Sequence, residues 1–497
     1  MTAVDWTICL AYLVLVLVLG AWCSRGQRTN ADYLVGDRRM NWLVIGISLF
    51  ATTFSSLSFV GLPREAAYED YHLYLAILFI PLVAAPIVGW LFVPLYHRLQ
   101  LISAYEYLER RFDRRLRLLG SLMACLYMLG WMGSMLYATG LILQAVLGLS
   151  ESGLIWTLVG LGLFTTLYTS IGGFKAVVWT DVAQAVVLFG GMLIVLVLAL
   201  GRIPGGWSTV WQLGQQHGKF EMFDLRFDLT HRANFFSAAA YGVFVYLAAH
   251  ATGQSSVQRY VSMPSVAAAR WSLAVNGALT AGICLVFFLV GSTLFAYYHH
   301  SLPPGAEAGS GFPVLPRQDQ LTPHFIQTEL AVPGLMGLLL AGLFAAVMSS
   351  IDSGANSMTS LVVCDWLDSR KLKVRESRLL CGLFGMGAIV MSLLVPHLGK
   401  HVFDIIVTIA GALFGPLLGV FALGMFVRRA NTPGAVLGLL AGAAGLAIVA
   451  CTDVSHFWYG AFTCVPTFVV GALSSFLFPA PQPQRLRGLV MRELVVE

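Results

Sequence analysis

LMGLLLAGLFAAVMSSIDSGANSMTSLVVCDW, residues 335–366, reads as one long apolar helix with a polar stripe through its middle. Ser349, Asp352, Ser353 and Asn356 stand at i, i+3, i+4 and i+7 and share one helix face, with Ser350 and Ser357 beside it. Hydrocarbon tolerates such groups poorly. An aspartate at mid-membrane costs about 2.5–3.5 kcal/mol on insertion scales, so an ionisable residue there points to function. Clustered hydroxyls are oxygen ligands of the kind a hard cation prefers. The same Ser and Asn side chains can also bond neighbouring helices, for about 0.6 kcal/mol each. The carboxylate favours an ion.

Working outward, the whole chain has the composition of a membrane protein. Its 497 residues are 58% hydrophobic and 11% charged, with mean hydropathy +0.77, where soluble domains carry about 25% charged residues. Apolar runs of spanning length (roughly 20 residues) begin near Trp6, Trp42, His72, Leu116, Gly153, Asp181, Phe235, Ala267, Val332, Leu379, Val402, Thr432 and Phe457. These predict an all-α membrane protein of thirteen transmembrane helices, with termini on opposite sides.

The distribution of Lys and Arg selects the orientation. With the N-terminus outside and the C-terminus inside, most of the 30 cations fall on the cytoplasmic side. They are Arg25, Arg28, Arg38 and Arg39, then Arg98 and the Arg110–Arg117 cluster, then Lys175, Arg259 and Arg270. The run from Arg370 to Arg378, Arg428, Arg429, Arg485, Arg487 and Arg492 completes the set. A miscounted helix would invert the later loops and spoil this bias. Topology therefore accounts for the basic clusters, and no nucleic-acid partner is implied. The eight cysteines are scattered, without metal-ligand spacing or a disulfide framework, and read as small apolar fillers. No HExxH or Walker A pattern occurs, which argues against a zinc enzyme and against ATP-driven transport. The first span is not a cleavable signal, because Asp5 precedes it and basic residues follow. The short tail after Pro479 leaves no expectation of an appended catalytic domain.

Two further spans look interrupted. The second reads GISLFATTFSSLSFVGLP, and the seventh contains YLAAHATGQSSVQR. They open two runs of five helices, second to sixth and seventh to eleventh, and an odd helix number inverts one run against the other. Polar, broken helices at matching positions of inverted repeats point to a transporter's binding site, because freed carbonyls are tolerated only where backbone lines a cavity. The expected organisation is residues 1–40 for the first helix and its loop, 41–201 for the first repeat, and 202–233 for an external loop. Residues 234–430 then form the second repeat, and 431–497 form the last two helices and tail. A second external loop runs from about Tyr298 to Phe325.

Four stretches carry a resemblance: FATTFSSLSFVGLP (50–63), GGFKAVVWTDVAQ (172–184), GQSSVQR (253–259) and AAVMSSIDSGANS (345–357). With FGPLLGVFALGMF (414–426) in support, the chain resembles the sodium:solute symporter family. SAYEYLERRF (103–112), WMGSMLYATGLIL (131–143) and DQLTPHF (319–325) look like its branch for monocarboxylates, vitamins and iodide. The resemblance implies a LeuT-like 5+5 inverted repeat in the cell membrane and alternating access driven by sodium. It also implies a principal sodium site made by the carbonyls of Ala51, Phe54 and Ala346 and the hydroxyls of Ser349 and Ser350. Asp181 stands where some members hold a second sodium, alongside Ser349 and Ser353. Here Asp352 replaces an expected Ser, so it could strengthen cation binding, take a proton or line the exit path. Asp181 could equally be a residue placed at a helix N-terminus by the dipole.

The same resemblance places Ser58, Trp131, Tyr246, His250 and Thr408 around a mid-membrane solute. An aromatic, hydrogen-bonding pocket suits a small organic anion or polar solute. A small carboxylate is the expected cargo, with a sugar, polyol or sialic acid as the alternative. Trp131 replaces an arginine of some sialic-acid members, and Ala249 replaces a gating tyrosine of sugar members. An intramembrane protease would need paired aspartates in a GxGD context, which neither Asp181 nor Asp352 has. A channel would need a repeated pore loop, and none is present. The reading is a transporter, not an enzyme, with sodium as its ion and lipid as its surroundings.

Overall fold

The computed structural model describes residues 1–231, 234–300, 302, 311–367, 372–398 and 402–491. Arg370 and Arg492 of the basic set, and the centre of the second external loop, lie outside the described residues. Every regular element among the described residues is helical. Among the described residues, eleven helices are long and apolar enough to cross a membrane, or twelve if a bent pair counts as one span.

In chain order, the helices are α1 (Ala3–Cys23), the bent pair α2 (Trp42–Thr53) and α3 (Ser56–Tyr68), α4 (His72–Leu99) and α5 (Arg114–Leu147). Then come α6 (Glu151–Leu200), α7 (Phe235–Thr252), α8 (Gln254–Val261) and α9 (Val266–His299). The chain closes with α10 (Leu335–Trp366), α11 (Val374–Leu398), α12 (Val402–Phe426), α13 (Thr432–Val449) and α14 (His456–Leu477).

Helix α10 is the axis of the molecule. Its most apolar window is 89% buried, against 28% for α1 and α13, which therefore sit at the periphery of the bundle. The opening stretch thus folds as one helix, and every member of its polar stripe is buried. Asp5 ties α1 to this axis: its Oδ1 accepts from the N–H groups of Gly334 and Gly337 at 3.0 and 2.9 Å. Those are donors at the start of α10, which no intrahelical carbonyl can satisfy.

The break in the second span follows from its hydroxyls. Thr52 donates to the Ser48 carbonyl at 2.9 Å and Thr53 to the Phe50 carbonyl at 2.9 Å, so side chains bond the last turn of α2. Phe54 is extended (φ −89°, ψ 117°). Ser55 then caps α3, its Oγ accepting from the Ser58 N–H. The two halves diverge by 71°. The seventh span breaks similarly, with Gly253 extended between α7 and α8.

Helix α6 holds 50 residues, a straight length of about 75 Å. A hydrocarbon core is about 30 Å thick. At Gly173 the backbone leaves the helical region (φ 58°, ψ −159°), so α6 comprises two segments that meet at a kink. The sixth span was expected to start near Asp181, and the kink falls before it. Asp181 is therefore not at the helix N-terminus but inside the second segment, fully buried. All eight cysteines are free, and most are buried, consistent with filler roles.

The loop after α6 grips the C-terminal end of α3. Lys219 Nζ donates to the carbonyls of Ala67, Tyr68 and Glu69 at 2.9–3.0 Å, satisfying the acceptors that a helix C-terminus leaves open. Burial lowers the pKa of this ammonium from its ordinary value.

Candidate ion and solute site

The break between α2 and α3 faces the serine pair of α10. Ser349 Oγ lies 3.1 Å from the Ala51 carbonyl and 3.0 Å from the Ala346 carbonyl. Ser350 Oγ lies 3.2 Å from the same Ala346 oxygen. Phe54 is the residue at the break itself, and all five positions are at most 4% exposed. Two carbonyls and two hydroxyls from different helices thus converge in a dry position. Each hydroxyl can rotate to turn a lone pair toward a cation. An oxygen-only set without thiolate or imidazole suits a hard ion. The residues present fit sodium.

The four residues considered for a second ion are distributed differently. Asp181 Oδ2 accepts from Ser48 Oγ and, at 2.8 Å, from Arg259 Nη2. That same nitrogen reaches Ser353 Oγ at 2.8 Å. Asp352 Oδ2 accepts from the Tyr168 hydroxyl at 2.8 Å and is 3.3 Å from Thr180 Oγ1. Ser349 faces Ala51, as above. Arg259, counted by position among the cytoplasmic cations, is 1% exposed and enclosed in the protein. Neither it nor Tyr168 was singled out as a partner of these aspartates. The available signal was an arginine immediately following the polar GQSSVQ run, on the short helix that follows the break.

Helix α8 is held along its length by further polar contacts. Gln254 donates to the Ile102 carbonyl at 2.9 Å and to Ser360 Oγ at 3.1 Å. Gln258 donates to Asn356 Oδ1 at 2.8 Å and accepts from Ser357 Oγ at 3.2 Å. Asn356 and Ser357 of the polar stripe therefore bind α8 to α10, which is the helix-bonding role the sequence left open.

A cavity of about 870 Å³ lies on the other side of the break. Ser58, Trp131 and Tyr246 line it, and Tyr137, Tyr241 and Thr280 extend its polar and aromatic wall. His250 and Thr408 do not line it. The His250 Nδ1 faces the Tyr246 carbonyl at 2.9 Å, and its Nε2 faces the Asn276 amide nitrogen at 3.2 Å. An amide donor on Nε2 assigns the proton to Nδ1, so both ring nitrogens are engaged within the protein. Thr408 has its hydroxyl buried without a partner among the described residues, while Ile406 and Val407 of the same turn form the wall. The cavity's charged lining residues are Arg64, Glu65, Arg317 and Asp319. Arg64 joins that end together, donating to Glu65 at 3.0 Å and to Gln318 at 2.9 Å.

Broken helices, a buried oxygen cluster and an adjoining cavity are features of a helical membrane transporter. The model of the sodium:solute symporter family matches residues 33–442, and the chain belongs to that family. It is 31% identical over 480 residues to the sodium/sialic acid symporter NanT of Aliivibrio fischeri, covering 94% of this chain and 92% of the relative. Against the sodium-dependent multivitamin transporter of Oryctolagus cuniculus it is 33% identical, over 96% of this chain and 72% of the relative. The solved structure of a sodium-coupled sialic acid symporter, substrate-bound and outward-open, superposes with a TM-score of 0.84 at 29% identity. That match covers 97% of this chain and 99% of the other. The protein is a multi-pass sodium:solute symporter, not an enzyme, and sodium is its coupling ion.

Proposed function

We propose that the chain imports a small organic solute bearing a carboxylate, coupled to sodium held by Ala51, Phe54, Ala346, Ser349 and Ser350. One observation carries the choice of solute. The N-terminus of α3 opens into the cavity through Ser55, Leu57 and Ser58, while the cavity's charged residues are confined to the Arg64 end. The Ser55 hydroxyl caps the Ser58 N–H, and the first-turn N–H groups of Ser56 and Leu57 are left without an intrahelical partner, an arrangement that favours an anion. Half-helix N-termini serve this purpose in transporters.

The proposed topology has thirteen crossings, with α6 crossing twice around Gly173 and α2 with α3 forming one broken span. The N-terminus is outside and the C-terminus inside. Residues 41–201 and 234–430 form the inverted repeats, each opening on a broken helix. In this frame the cavity opens outward, and the bonded α8 closes the inner path. Sodium between α2 of the first repeat and α10 of the second favours one global state, which is the differential binding that coupling requires.

A sialic acid is the second reading, because the cavity volume exceeds what a monocarboxylate fills. That solute also carries a carboxylate. A thermal-shift screen of lactate, a carboxylated vitamin, N-acetylneuraminate and glucose, with sodium present and absent, separates these readings. Ligands of the native state raise its melting temperature by mass action. At least one carboxylate is expected to stabilise the protein, only with sodium, and to enter proteoliposomes along an inward sodium gradient. Stabilisation by glucose alone would remove the carboxylate reading. Ser58→Leu is expected to abolish the solute shift while leaving the sodium shift in place.

A further inference from the structure

The position between Asp181 and Ser353 already contains a positive charge. Arg259 Nη2 lies 2.8 Å from Asp181 Oδ2 and 2.8 Å from Ser353 Oγ. Its Nε donates to Ser48 Oγ and its Nη1 to the Ser255 carbonyl, both at 2.8 Å. The guanidinium therefore has an oxygen at each of its three nitrogens, a geometry for which its planar fork is preorganised. Arg259 is 1% exposed and Asp181 is fully buried, so water does not screen the pair. A sodium ion bridging Asp181 Oδ2 and Ser353 Oγ would have to occupy the space of Nη2, while Asp181 Oδ1 is buried without a partner among the described residues. Of the other two members of that set, Ser349 faces Ala51 and Asp352 turns its Oδ2 toward Tyr168 and Thr180, its Oδ1 having no partner among the described residues.

We propose that Arg259 is a tethered cation standing in the second-ion position, so that the chain carries one sodium per solute. This rests on the reading that the principal sodium lies at Ala51 and the serine pair. A guanidinium fixed to α8 neutralises Asp181 in the closed inner path but does not leave with the solute. It adds no ion to the coupled set. The same side chain joins α8 to α2, α6 and α10, so its charge also helps hold the inner path shut.

The test counts radioactive sodium bound at saturation by the purified full-length protein, with sodium as the only ligand. One equivalent per chain is expected in the wild type and in Asp181→Asn, where the carboxylate is lost but the principal site remains. Arg259→Gln uncovers Asp181 and Ser353 and is expected to bind a second equivalent. Two equivalents in the wild type overturn the proposal, and so does loss of the single equivalent in Asp181→Asn. If Arg259→Gln does not fold, the wild-type and Asp181→Asn counts still decide. Failure of the underlying reading looks different: no sodium bound at all, or a single equivalent whose sodium affinity is unchanged in both Ser349→Ala and Ser350→Ala.

Discussion

Ser349→Ala is expected to raise the sodium concentration for half-maximal uptake about tenfold, equivalent to about 1.4 kcal/mol of ion affinity. The hydroxyl removed is the one that reaches across the helix break, 3.1 Å from the Ala51 carbonyl and 3.0 Å from Ala346. Without it the proposed ion keeps its carbonyl ligands but loses a donor from the second repeat. Ser350→Ala, whose hydroxyl touches only the Ala346 carbonyl, should shift sodium dependence in the same direction by less. Maximal uptake at saturating sodium should fall little in either variant, because neither serine lines the solute cavity. Initial-rate uptake over a sodium titration measures both quantities. Unchanged sodium dependence in both variants would detach the ion from this cluster.

The elements easiest to read in the sequence were those whose physics is local. The hydroxyls of ATTFSS predict a broken span because they can bond the end of one helix and cap the next, and Thr52, Thr53 and Ser55 do both. The polar stripe of α10 was legible from spacing, because all its members fall on a helix that is buried on every side. Harder to read were partners brought together from distant segments. Arg259 was grouped with the cytoplasmic cations because positive-inside counting uses position along the chain, whereas the fold carries this side chain inward to Asp181. Tyr246 and His250 stand at i, i+4 on the interrupted helix, a spacing that can place two side chains on one ligand face. The same spacing lets a histidine bond its own helix carbonyl, and His250 does that. Tyr168 could not be matched to Asp352 from sequence, since no local pattern pairs residues 184 positions apart.

The kink inside α6 supports the last prediction, a loss of most folded protein in Gly173→Ala. With φ 58° and ψ −159°, the residue lies at the edge of a region used essentially by glycine alone, and strain of this kind costs about 1–3 kcal/mol. Space is lacking as well. A Cβ at Gly173 would stand 2.6 Å from the Tyr33 ring and 2.8 Å from the Tyr33 carbonyl oxygen. Tyr33 cannot easily retreat, because it is fully buried and its hydroxyl donates to the Ser170 carbonyl at 3.0 Å. Overpacking of a tight core adds about 1–3 kcal/mol. The damage should also spread, because the segment after the kink supplies Thr180 and Asp181, and with them the contacts to Asp352 and Arg259. Gly160→Ala is the matched control on the same helix, where an added methyl meets nothing within 4 Å. Size-exclusion profiles and melting temperatures of the two variants give the comparison. Equal yield and stability would mean that the chain can redirect its path between the two segments without the glycine, and the proposed double crossing would lose its hinge.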